Sequence, residues 1–386
     1  MSLRVLHLNS LLTGGGTDDQ CIQLAAELRR LNHDVWLGAP ANRALSPMVT
    51  DLEIPSRVLP PNKPGFIIAA AKFIRKSAIQ IVHAHHGRDF WPAILAAKLS
   101  GRRPKIVLTR HLAKSPSSTF SRRYLLYQCD ALIAVSEFVA QVLRQGVFEP
   151  ASPEPERHSR PPLRGPHQRI HTIPGAIDTN RFRPFDATSL RTAWKISPAD
   201  FVFAVVGGYS LPRGKGQREF LRAAARAHAK MPHGRFLIIG RGNMAETLRT
   251  DMAQLGLSSK AWLTPYCHDM PAAMNAIDCL VHPQIGTEAL GLVVCEAHAC
   301  GKPVIASALD GIPEAFAAGH VGKLVQPESI DELANALLEQ AAAPPLTASE
   351  REACHARVAE KFSLPMMARK VETLYKSLWH ESRSTR

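Results

Sequence analysis

The chain has few aromatic residues, no closely spaced pair of cysteines and no long apolar run. Aromatic residues make up 6% of its 386 residues, a low share for an all-β binding module and an ordinary one for an α/β protein. The seven cysteines are scattered without a CxxC pair, as is typical of buried thiols in a reducing compartment. No segment approaches the roughly 18 consecutive apolar residues of a membrane span, and no cleavage site follows the short apolar run near Met1. We therefore expect a cytoplasmic protein, and peripheral attachment to the inner face of the cytoplasmic membrane stays open.

Basic residues outnumber acidic ones by 47 to 33, which gives a formal net charge of +14. Such an excess favours an acidic partner, for which nucleic acid, an anionic membrane surface and phosphorylated substrates are the candidates. We exclude nucleic acid, because the sequence has no zinc-finger spacing, no aromatic RNA-binding motif and no recognition-helix pattern. Two interpretations remain: a basic solvated surface, and weak attraction to anionic lipid headgroups.

Short apolar runs alternate with amphipathic helical patterns along nearly the whole chain, which at this length is expected to form two domains. The runs are nearly continuous in Val, Ile and Leu, as is typical of parallel strands covered on both faces. The pattern predicts an α/β protein with two Rossmann-like, doubly wound parallel sheets in tandem. The predicted strands are 3–8, 34–38, 79–85, 105–111, 131–136 and 169–174, then 201–208, 235–240, 261–265, 278–283, 303–307 and 322–326.

Residues 149–168 are rich in proline and charge and predict an exposed insertion within the first domain. The hinge between the domains is expected near 178–183. We accordingly predict a first domain over 1–180 and a second over 181–364. A final helix over 365–386 is expected to pack back on the first domain.

The strongest functional pattern surrounds Glu288, Gly291 and Glu296, at the predicted start of a helix. The backbone N–H groups at Gly291, Leu292 and Val293 would be free there, and the positive end of the helix dipole favours an anionic diphosphate. Glu296 is suited to accept hydrogen bonds from the paired hydroxyls of a ribose, and Glu288 from hydroxyls beyond the phosphates. The alternative is that both glutamates are surface residues that only stabilise the helix terminus.

Together with motifs elsewhere in the chain, this pattern resembles the signature of glycosyltransferase family 4, whose members are retaining nucleotide-sugar enzymes. The resemblance implies the GT-B fold, with two Rossmann-like domains facing across a cleft. It places the acceptor side in 1–180 and the nucleotide-sugar donor in 181–364. It also implies that no metal ion or other cofactor is needed. The matching segments are 14–16, 133–136, 173–178, 181–182, 239–242, 288–303 and 310–314.

In the second domain, the resemblance implies a basic pair that neutralises the donor diphosphate as the glycosidic bond breaks. Lys215, followed by Gly216, matches the lysine of that pair. The arginine usually found just after the preceding strand is absent, and Gly208 stands in its place within the donor loop. Arg213 is the predicted substitute. With Glu288, these two cations form the catalytic set predicted for this domain.

In the first domain, His111 resembles the family histidine that touches the donor sugar near its reacting centre. Gly15 and Gly16, in the loop after the first strand, are expected to approach the donor or the acceptor. The histidines at 83–86 end another strand, but no cysteine or carboxylate lies at ligand spacing. We therefore predict no metal site.

Two other classes of nucleotide-binding protein fit poorly. A phosphate-binding Walker loop ending in Lys215 needs glycine where Tyr209 stands and Ser or Thr where Gly216 stands. The loop at 14–16 lacks the third glycine of a dinucleotide fingerprint, and the next strand ends without the acidic residue that would hold a ribose.

The predicted function is transfer of a sugar from a nucleotide-diphosphate donor to a hydroxyl of a glycan or lipid-linked acceptor. Lipopolysaccharide and other envelope polysaccharide precursors are the acceptors that suit the basic charge. Two alternatives remain open. One is another GT-B enzyme, either a nucleotide-sugar epimerase or a sugar-phosphate synthase. The other is an inactive nucleotide-sugar-binding scaffold, which the missing arginine near Gly208 favours.

Overall fold

Each half of the chain folds around its own parallel sheet. The computed structural model describes residues 1–12, 15–40, 47–147, 161–210, 214–265 and 267–384. It divides into one unit of residues 1–176 with 364–386 and a second unit of residues 177–363. The two parallel sheets predicted from the apolar runs are both present.

The first unit alternates strands and helices and ends with a long helix from the chain terminus. In chain order its elements are β1 (Arg4–Leu8), α1 (Gly16–Arg30), β2 (Asp34–Pro40), α2 (Pro47–Asp51), β3 (Ser56–Leu59), α3 (Lys63–Lys76), β4 (Ile81–Ala84), α4 (Phe90–Leu99), β5 (Lys105–Arg110), α5 (Thr119–Gln128), β6 (Ala131–Ala134), α6 (Glu137–Gln145), β7 (Ile170–Thr172) and, after the second unit, α15 (Leu364–Ser384).

The second unit repeats this alternation and closes with two consecutive helices. Its elements are α7 (Thr188–Ala193), β8 (Phe201–Val206), α8 (Gln217–Ala227), β9 (Gly234–Ile239), α9 (Ala245–Gln254), β10 (Ala261–Leu263), α10 (Met270–Ala276), β11 (Cys279–His282), α11 (Leu292–Ala299), β12 (Val304–Ser307), α12 (Ile312–Gly319), β13 (Gly322–Val325), α13 (Ile330–Ala342) and α14 (Ala348–Phe362).

The strand order of each sheet reverses once. The first sheet runs β3-β2-β1-β4-β5-β6-β7 and the second runs β10-β9-β8-β11-β12-β13, with parallel pairing throughout. The order therefore switches direction between β1 and β4 and between β8 and β11. Connections leave opposite faces of the sheet at such a point, and a crevice for ligands opens beyond the carboxyl ends of the two strands.

Alternation along β8 shows how the second sheet is buried on both faces. Phe203 and Val205 belong to a core cluster that contains residues of α8 and α13. Val202 and Ala204 belong to another cluster, which contains residues of α11 and α14. Successive side chains of a strand point to opposite faces, so a continuous apolar run is what a doubly covered strand requires.

The C-terminal helix α15 belongs to the core of the first unit. Val371 and Tyr375 are buried in the same cluster as Cys21 and Leu28 of α1 and Val5 of β1. The phenol of Tyr375 also lies 2.6 Å from Nδ1 of His83 in β4. These contacts explain why a helix that follows the second unit in sequence is part of the first.

Two features of the first unit depart from the apolar pattern. Strand β3 was not predicted, because three of its four residues are exposed and it forms the edge of the sheet. Residues 149–160 of the proline-rich segment lie outside the described part of the chain. Its last residues pack against the unit, where Leu163 is buried and its N–H donates to the carbonyl of Leu143 at 2.8 Å. This end of the segment is therefore not the exposed insertion that its composition predicted.

Candidate functional site

The predicted donor residues of the second unit gather at the switch point of its sheet. The loop after β8 carries Gly208 and Lys215, and the loop after β11 carries Glu288 and Gly291. Because β8 and β11 are neighbours, their carboxyl ends open into one crevice. Two loops separated by more than seventy residues thus converge on one place.

Lys215 and Glu288 form an ion pair between the two loops that border this crevice. Nζ of Lys215 lies 2.7 Å from Oε2 of Glu288, and their side chains are 35% and 19% exposed. Oε1 of Glu288 accepts a hydrogen bond from the N–H of Ala289 at 3.1 Å. Burial would raise the pKa of Glu288, but the charge of Lys215, aided by His282, holds it below its usual value. The carboxylate is therefore charged and acts as a hydrogen-bond acceptor at neutral pH.

The backbone of Lys215 is held by contacts between the two loops. Its N–H donates to Oε1 of Gln217 at 2.7 Å, and Nε2 of Gln217 donates to the carbonyl of Gly208 at 3.3 Å. Gly216 has a φ of +82°, and a Cβ there would lie 1.9 Å from the carbonyl oxygen of Pro283. Only glycine permits this approach, so Gly216 sets the distance between the lysine loop and the glutamate loop.

Gly291 is the N-cap of α11 and has a φ of +86° and a ψ of 54°. The structure gives no side-chain cap at this described helix end. The N–H groups of the first turn, including Leu292 and Val293, point away from the helix with the positive dipole end behind them. Glu296 follows on the second turn of the same helix and is partly buried. One helix thus carries both the N–H groups that can donate to an anion and the carboxylate of Glu296.

Two buried polar residues beside the ion pair were not among the predicted donor residues. Both ring nitrogens of His282 and Oε1 of Gln284 are buried without a hydrogen-bond partner among the described residues. Burial, with the charge of Lys215 added and that of Glu288 opposing, lowers the pKa of His282 to about 4. Buried polar groups in proteins are nearly always paired. Such atoms next to the crevice are therefore candidates to contact a ligand.

Gly15 and Gly16 lie at the switch point of the first unit, where they begin α1. Gly15 is the N-cap, with a φ of 120°, and its carbonyl accepts from the N–H groups of Asp18 and Asp19 at 3.0 Å. A Cβ at either glycine would meet nothing within 4 Å. Gly15 and Gly16 therefore have free space around them at the carboxyl edge of the sheet. Gly14 lies outside the described residues.

His111 follows β5 and joins a cluster of histidines from three neighbouring strands. Its ring stacks on that of His85, with ring centroids 5.8 Å apart. Nε2 of His85 lies 2.8 Å from Nδ1 of His7, and Nε2 of His83 lies 2.6 Å from Oγ1 of Thr109. Burial lowers the pKa of His111 and of His7 to about 3, and it lowers the pKa of His83 and His85 well below the usual value. The cluster is therefore neutral at physiological pH.

His7, His83 and His85 bring one ring nitrogen each within 4.8 Å of one another, a spacing compatible with a metal ion. However, both nitrogens of His83 lie 2.6 Å from hydroxyl groups, those of Tyr375 and Thr109. The bond between His7 and His85 also uses one nitrogen of each ring. A metal would have to displace these hydrogen bonds, so the cluster is better described as a hydrogen-bonded network.

The neutral histidines make a testable contribution to pH-dependent stability. Their pKa values are lowered in the folded state, so the unfolded chain binds more protons below about pH 6.5 and the folded state loses stability as pH falls. Each such histidine is expected to cost up to about 1.4 kcal/mol of unfolding free energy per pH unit in this range. Urea unfolding at about pH 7.5 and about pH 5.5 measures the loss. His7→Gln should reduce the pH dependence by one proton, and a slope equal to that of the wild type would contradict the prediction.

Two known protein families match this chain. Residues 14–153 match the family described as Glycosyltransferase Family 4, and residues 200–342 match the family described as Glycosyl transferases group 1. The first match spans β2 to β6 of the first sheet, and the second spans all six strands of the second sheet. The chain belongs to glycosyltransferase family 4. The family membership predicted from the motif around Glu288 is thereby confirmed.

Several curated family 4 relatives act on inositol-containing acceptors according to their names. The chain is 29% identical over 188 residues to a GDP-mannose-dependent phosphatidylinositol monomannoside mannosyltransferase of Mycolicibacterium smegmatis, an alignment covering 47% of this chain and 49% of the relative. It is 32% identical over 203 residues to D-inositol 3-phosphate glycosyltransferase of Rhodococcus erythropolis, covering 50% of this chain and 45% of the relative. The chain thus spans about half the length of these relatives.

Several solved structures share the fold over nearly the whole chain. HepE of Anabaena, solved with UDP and glucose, gives a TM-score of 0.79 at 21% identity and covers 97% of this chain and 100% of its own. The lipopolysaccharide outer core galactosyltransferase WaaB gives a TM-score of 0.71 at 14% identity and covers 98% and 100%. At these identities the likeness concerns the fold alone, and it confirms the predicted GT-B class.

The family 4 site residues predicted from the sequence fall into two groups in the structure. Lys215, Glu288 and the residues from Gly291 to Glu296 come together in the second unit, with Gly208 in the adjoining loop. Gly15, Gly16 and His111 lie at the carboxyl edge of the first unit's sheet. Arg213 lies outside the described residues. His282 is not among the predicted site residues, because a histidine at the end of an apolar strand is compatible with a structural role.

Proposed function

We propose that this chain transfers a glycosyl unit from a nucleoside diphosphate sugar to a hydroxyl group of an acceptor, with retention of configuration. The observation that carries this proposal is the ion pair of Lys215 with Glu288, which stands beside the uncapped helix terminus at Gly291. A cation and free N–H groups can bind a diphosphate, and a carboxylate can accept hydrogen bonds from sugar hydroxyls. This place in the fold offers all three.

The leaving diphosphate accounts for the cation. As the glycosidic bond breaks, negative charge develops on the phosphate oxygen, and preorganised donors lower the barrier most at that atom. We assign this task to Lys215 and the first-turn N–H groups of α11, with Arg213 as a further cation. Lys215 can turn toward the phosphate while its backbone stays anchored to Gln217. Departure of the phosphate on the side of the incoming hydroxyl would let it take the acceptor proton and retain the configuration.

The carboxylates account for recognition of the rest of the donor. Glu288 is charged and partly buried, so it is suited to accept hydrogen bonds from sugar hydroxyls. Glu296, on the second turn of α11, is proposed to accept from the ribose hydroxyls. His111 is proposed to contact a sugar hydroxyl as a neutral imidazole, since its pKa is lowered to about 3 by burial. We propose that no metal ion takes part.

The acceptor is proposed to be a phosphorylated or lipid-linked glycan, such as a lipopolysaccharide or other envelope polysaccharide precursor. Two observations support this class. The chain carries a net charge of +14, and the curated relatives are named for acceptors that contain phosphate. A cytoplasmic enzyme at the inner face of the cytoplasmic membrane would meet both the donor and such an acceptor.

A panel of UDP-, GDP- and ADP-sugars tests the donor site. The matching nucleotide sugar is expected to raise the midpoint of thermal unfolding by about 5 to 10 °C at one hundred times its dissociation constant. EDTA should leave this shift unchanged. Glu296→Gln should weaken the shift, whereas Glu352→Gln, at an exposed position of the same unit, should not. Absence of any shift with every donor would refute the proposed site.

The same panel separates the alternatives once a donor is known. Release of nucleoside diphosphate that requires an added acceptor identifies a transferase. Conversion of the donor to an isomeric nucleotide sugar without acceptor would identify an epimerase, and a sugar-phosphate product would identify a synthase. Protection by a donor without turnover by any acceptor would identify an inactive scaffold.

A further inference from the structure

Nearly all the net charge of the chain lies in one fifth of its length. Residues 54–129 contain 14 of the 47 Lys and Arg residues and only one of the 33 Asp and Glu residues, the buried Asp89, which leaves +13 of the total +14. The charge is therefore not spread over the surface. The fourteen are Arg57, Lys63, Lys72, Arg75, Lys76, Arg88, Lys98, Arg102, Arg103, Lys105, Arg110, Lys114, Arg122 and Arg123.

Seven of these fourteen cations lie on three helices of the first unit, four on α3, one on α4 and two on α5. Helix α3 packs against α4. Helix α4 is joined to α5 at two points: Nε1 of Trp91 donates to Oγ of Ser121 at 2.9 Å, and Lys98 donates to Gln128. The three helices therefore lie side by side, whereas Arg110 is buried and Lys105 pairs with Asp130.

A stripe of large apolar side chains runs along α4 and α5. Leu95 and Leu99 are 44% and 66% exposed, and Phe120, Tyr124 and Tyr127 are 57%, 39% and 58% exposed. The spacings of four within α4, and of four and three within α5, put each set on one side of its helix. Each helix buries its other side, as Leu125 and Leu126 of α5 show.

Ring contacts connect the two halves of the stripe. The rings of Trp91 and Phe120 lie 5.0 Å apart between centroids, and those of Phe120 and Tyr124 lie 4.9 Å apart. The guanidinium of Arg123 lies over the ring of Tyr124 at 5.6 Å. Exposed cations, including Lys98, Arg102 and Arg123, thus stand directly beside the apolar groups. We call the stripe and these cations the basic-aromatic face.

We propose that the basic-aromatic face docks this protein on an anionic lipid bilayer. Exposed Leu and Phe side chains can insert among acyl chains, Trp and Tyr prefer the interface, and flanking Lys and Arg reach the headgroups. Among the described helices, none is both long and apolar enough to span a bilayer, so docking would be peripheral. This inference deepens the proposed function by naming the surface from which a lipid-linked acceptor would be reached.

Two other occupants fit the face less well. Nucleic acid would engage the cations and stack on the aromatic rings, but it gives no reason for exposed leucines such as Leu95 and Leu99. A second copy docking through the same face would bring two sets of cations together with almost no carboxylates, and like charges opposite each other are unfavourable. An anionic bilayer satisfies both the charge and the apolar stripe.

Vesicle flotation of the full chain tests the proposal. Vesicles of phosphatidylcholine with roughly one third phosphatidylglycerol should bind the protein at low salt, and pure phosphatidylcholine should bind it weakly. Neutralising Lys98, Arg102 and Arg123 to Gln is expected to lower partitioning on the order of 100-fold. The matched control neutralises Arg29, Arg369 and Lys370, exposed cations on α1 and α15 of the same unit, and should lower it much less.

The apolar stripe needs its own variant. Replacing Leu99, Phe120 and Tyr127 with Ser is expected to lower partitioning at least 10-fold, whereas Phe185→Ser, at an exposed position of the second unit, should have little effect. Trp91 supplies a second readout, because its fluorescence should shift to shorter wavelength on vesicle binding. Trp91→Phe should remove that shift while binding persists.

The outcomes separate docking from catalysis. All these variants should keep the thermal shift caused by the donor, because the stripe and cations lie outside the donor site. If the wild-type protein shows no thermal shift with any donor, the proposed function is contradicted, and vesicle binding still tests the docking separately. Equal binding of neutral and anionic vesicles would overturn the proposal. The proposal would also be overturned if RNA abolished vesicle binding while the apolar variant left that binding unchanged. It would be overturned as well if the wild-type protein were a dimer that the apolar variant converted to a monomer.

Discussion

Substitution of Lys215 by methionine is expected to lower kcat for glycosyl transfer by a factor of about 10² to 10³. Methionine keeps an unbranched side chain one atom shorter than that of lysine, but removes the charge that lies 2.7 Å from Glu288. The loss should appear mainly in kcat, because charge on the leaving diphosphate develops in the transition state. Steady-state kinetics with the donor found by thermal shift measure the effect.

The same substitution should change the pH dependence of the reaction. Burial alone would raise the pKa of Glu288, and Lys215 is the main group that holds it below its usual value. Without the lysine, the glutamate becomes protonated at a higher pH, so the acid limb of the pH–rate profile should move to higher pH. An acid limb that stays in place would show that Glu288 does not depend on Lys215.

A second lysine provides the matched control. Lys323 of β13 also pairs with a glutamate, at 2.6 Å from Glu339, but both side chains are largely exposed at a distance from the switch point. Lys323→Met should leave both kcat and the pH profile unchanged. An equal loss in both variants would mean that removing a surface charge, and not the site, causes the effect.

Substitution of Gly216 by alanine is expected to have the largest effect on stability at the site, a loss of about 2 to 5 kcal/mol in the free energy of unfolding of the second unit. Part of this cost comes from the φ of +82°, which disfavours any side chain. The rest comes from the carbonyl oxygen of Pro283, which would lie 1.9 Å from the new Cβ. Relief of that clash must move the lysine loop away from the glutamate loop, so activity should fall as well.

Gly256 separates these two contributions. Its φ is +70°, but a Cβ there would meet nothing within 4 Å. Gly256→Ala should therefore cost only the conformational part, about 1 to 2 kcal/mol, and leave activity intact. Urea unfolding and kinetics of the two variants measure the difference. Equal losses of stability, or full activity in Gly216→Ala, would contradict the assigned role of Gly216.

Much of the fold could be read from local sequence. All six strands of the second sheet were predicted, and the central ones β8, β9, β11 and β12 are short runs of mostly buried residues, as doubly covered parallel strands require. Strand β3 was missed because three of its four residues are exposed and it contains no run of buried apolar residues. The packing of Leu163 at the end of the proline-rich segment was also missed, because composition reports the average of a segment and not the contact of one side chain.

The candidate site was predictable in its parts and not in its assembly. The motif from Glu288 to Glu296 and the pair of Lys215 with Gly216 identify the family from sequence. Their ion pair spans 73 residues and depends on β8 and β11 being neighbours. Both ring nitrogens of His282 are buried without a hydrogen-bond partner among the described residues. That burial cannot be inferred from a single histidine at the end of a strand. His7 joins His83 and His85 only because β1 and β4 pair in register.

The sequence by itself determined the family, the two parallel sheets and the amount of positive charge, because periodicity, motif spacing and composition are properties of neighbouring residues. Only the tertiary structure decided that Lys215 meets Glu288, that the histidines form a neutral network, and that α4 and α5 turn their leucines and aromatic rings outward beside the arginines. The physical reason is common to all three. Distances, burial and the direction of a side chain arise when strands and helices pack, and residues far apart in sequence then share one environment.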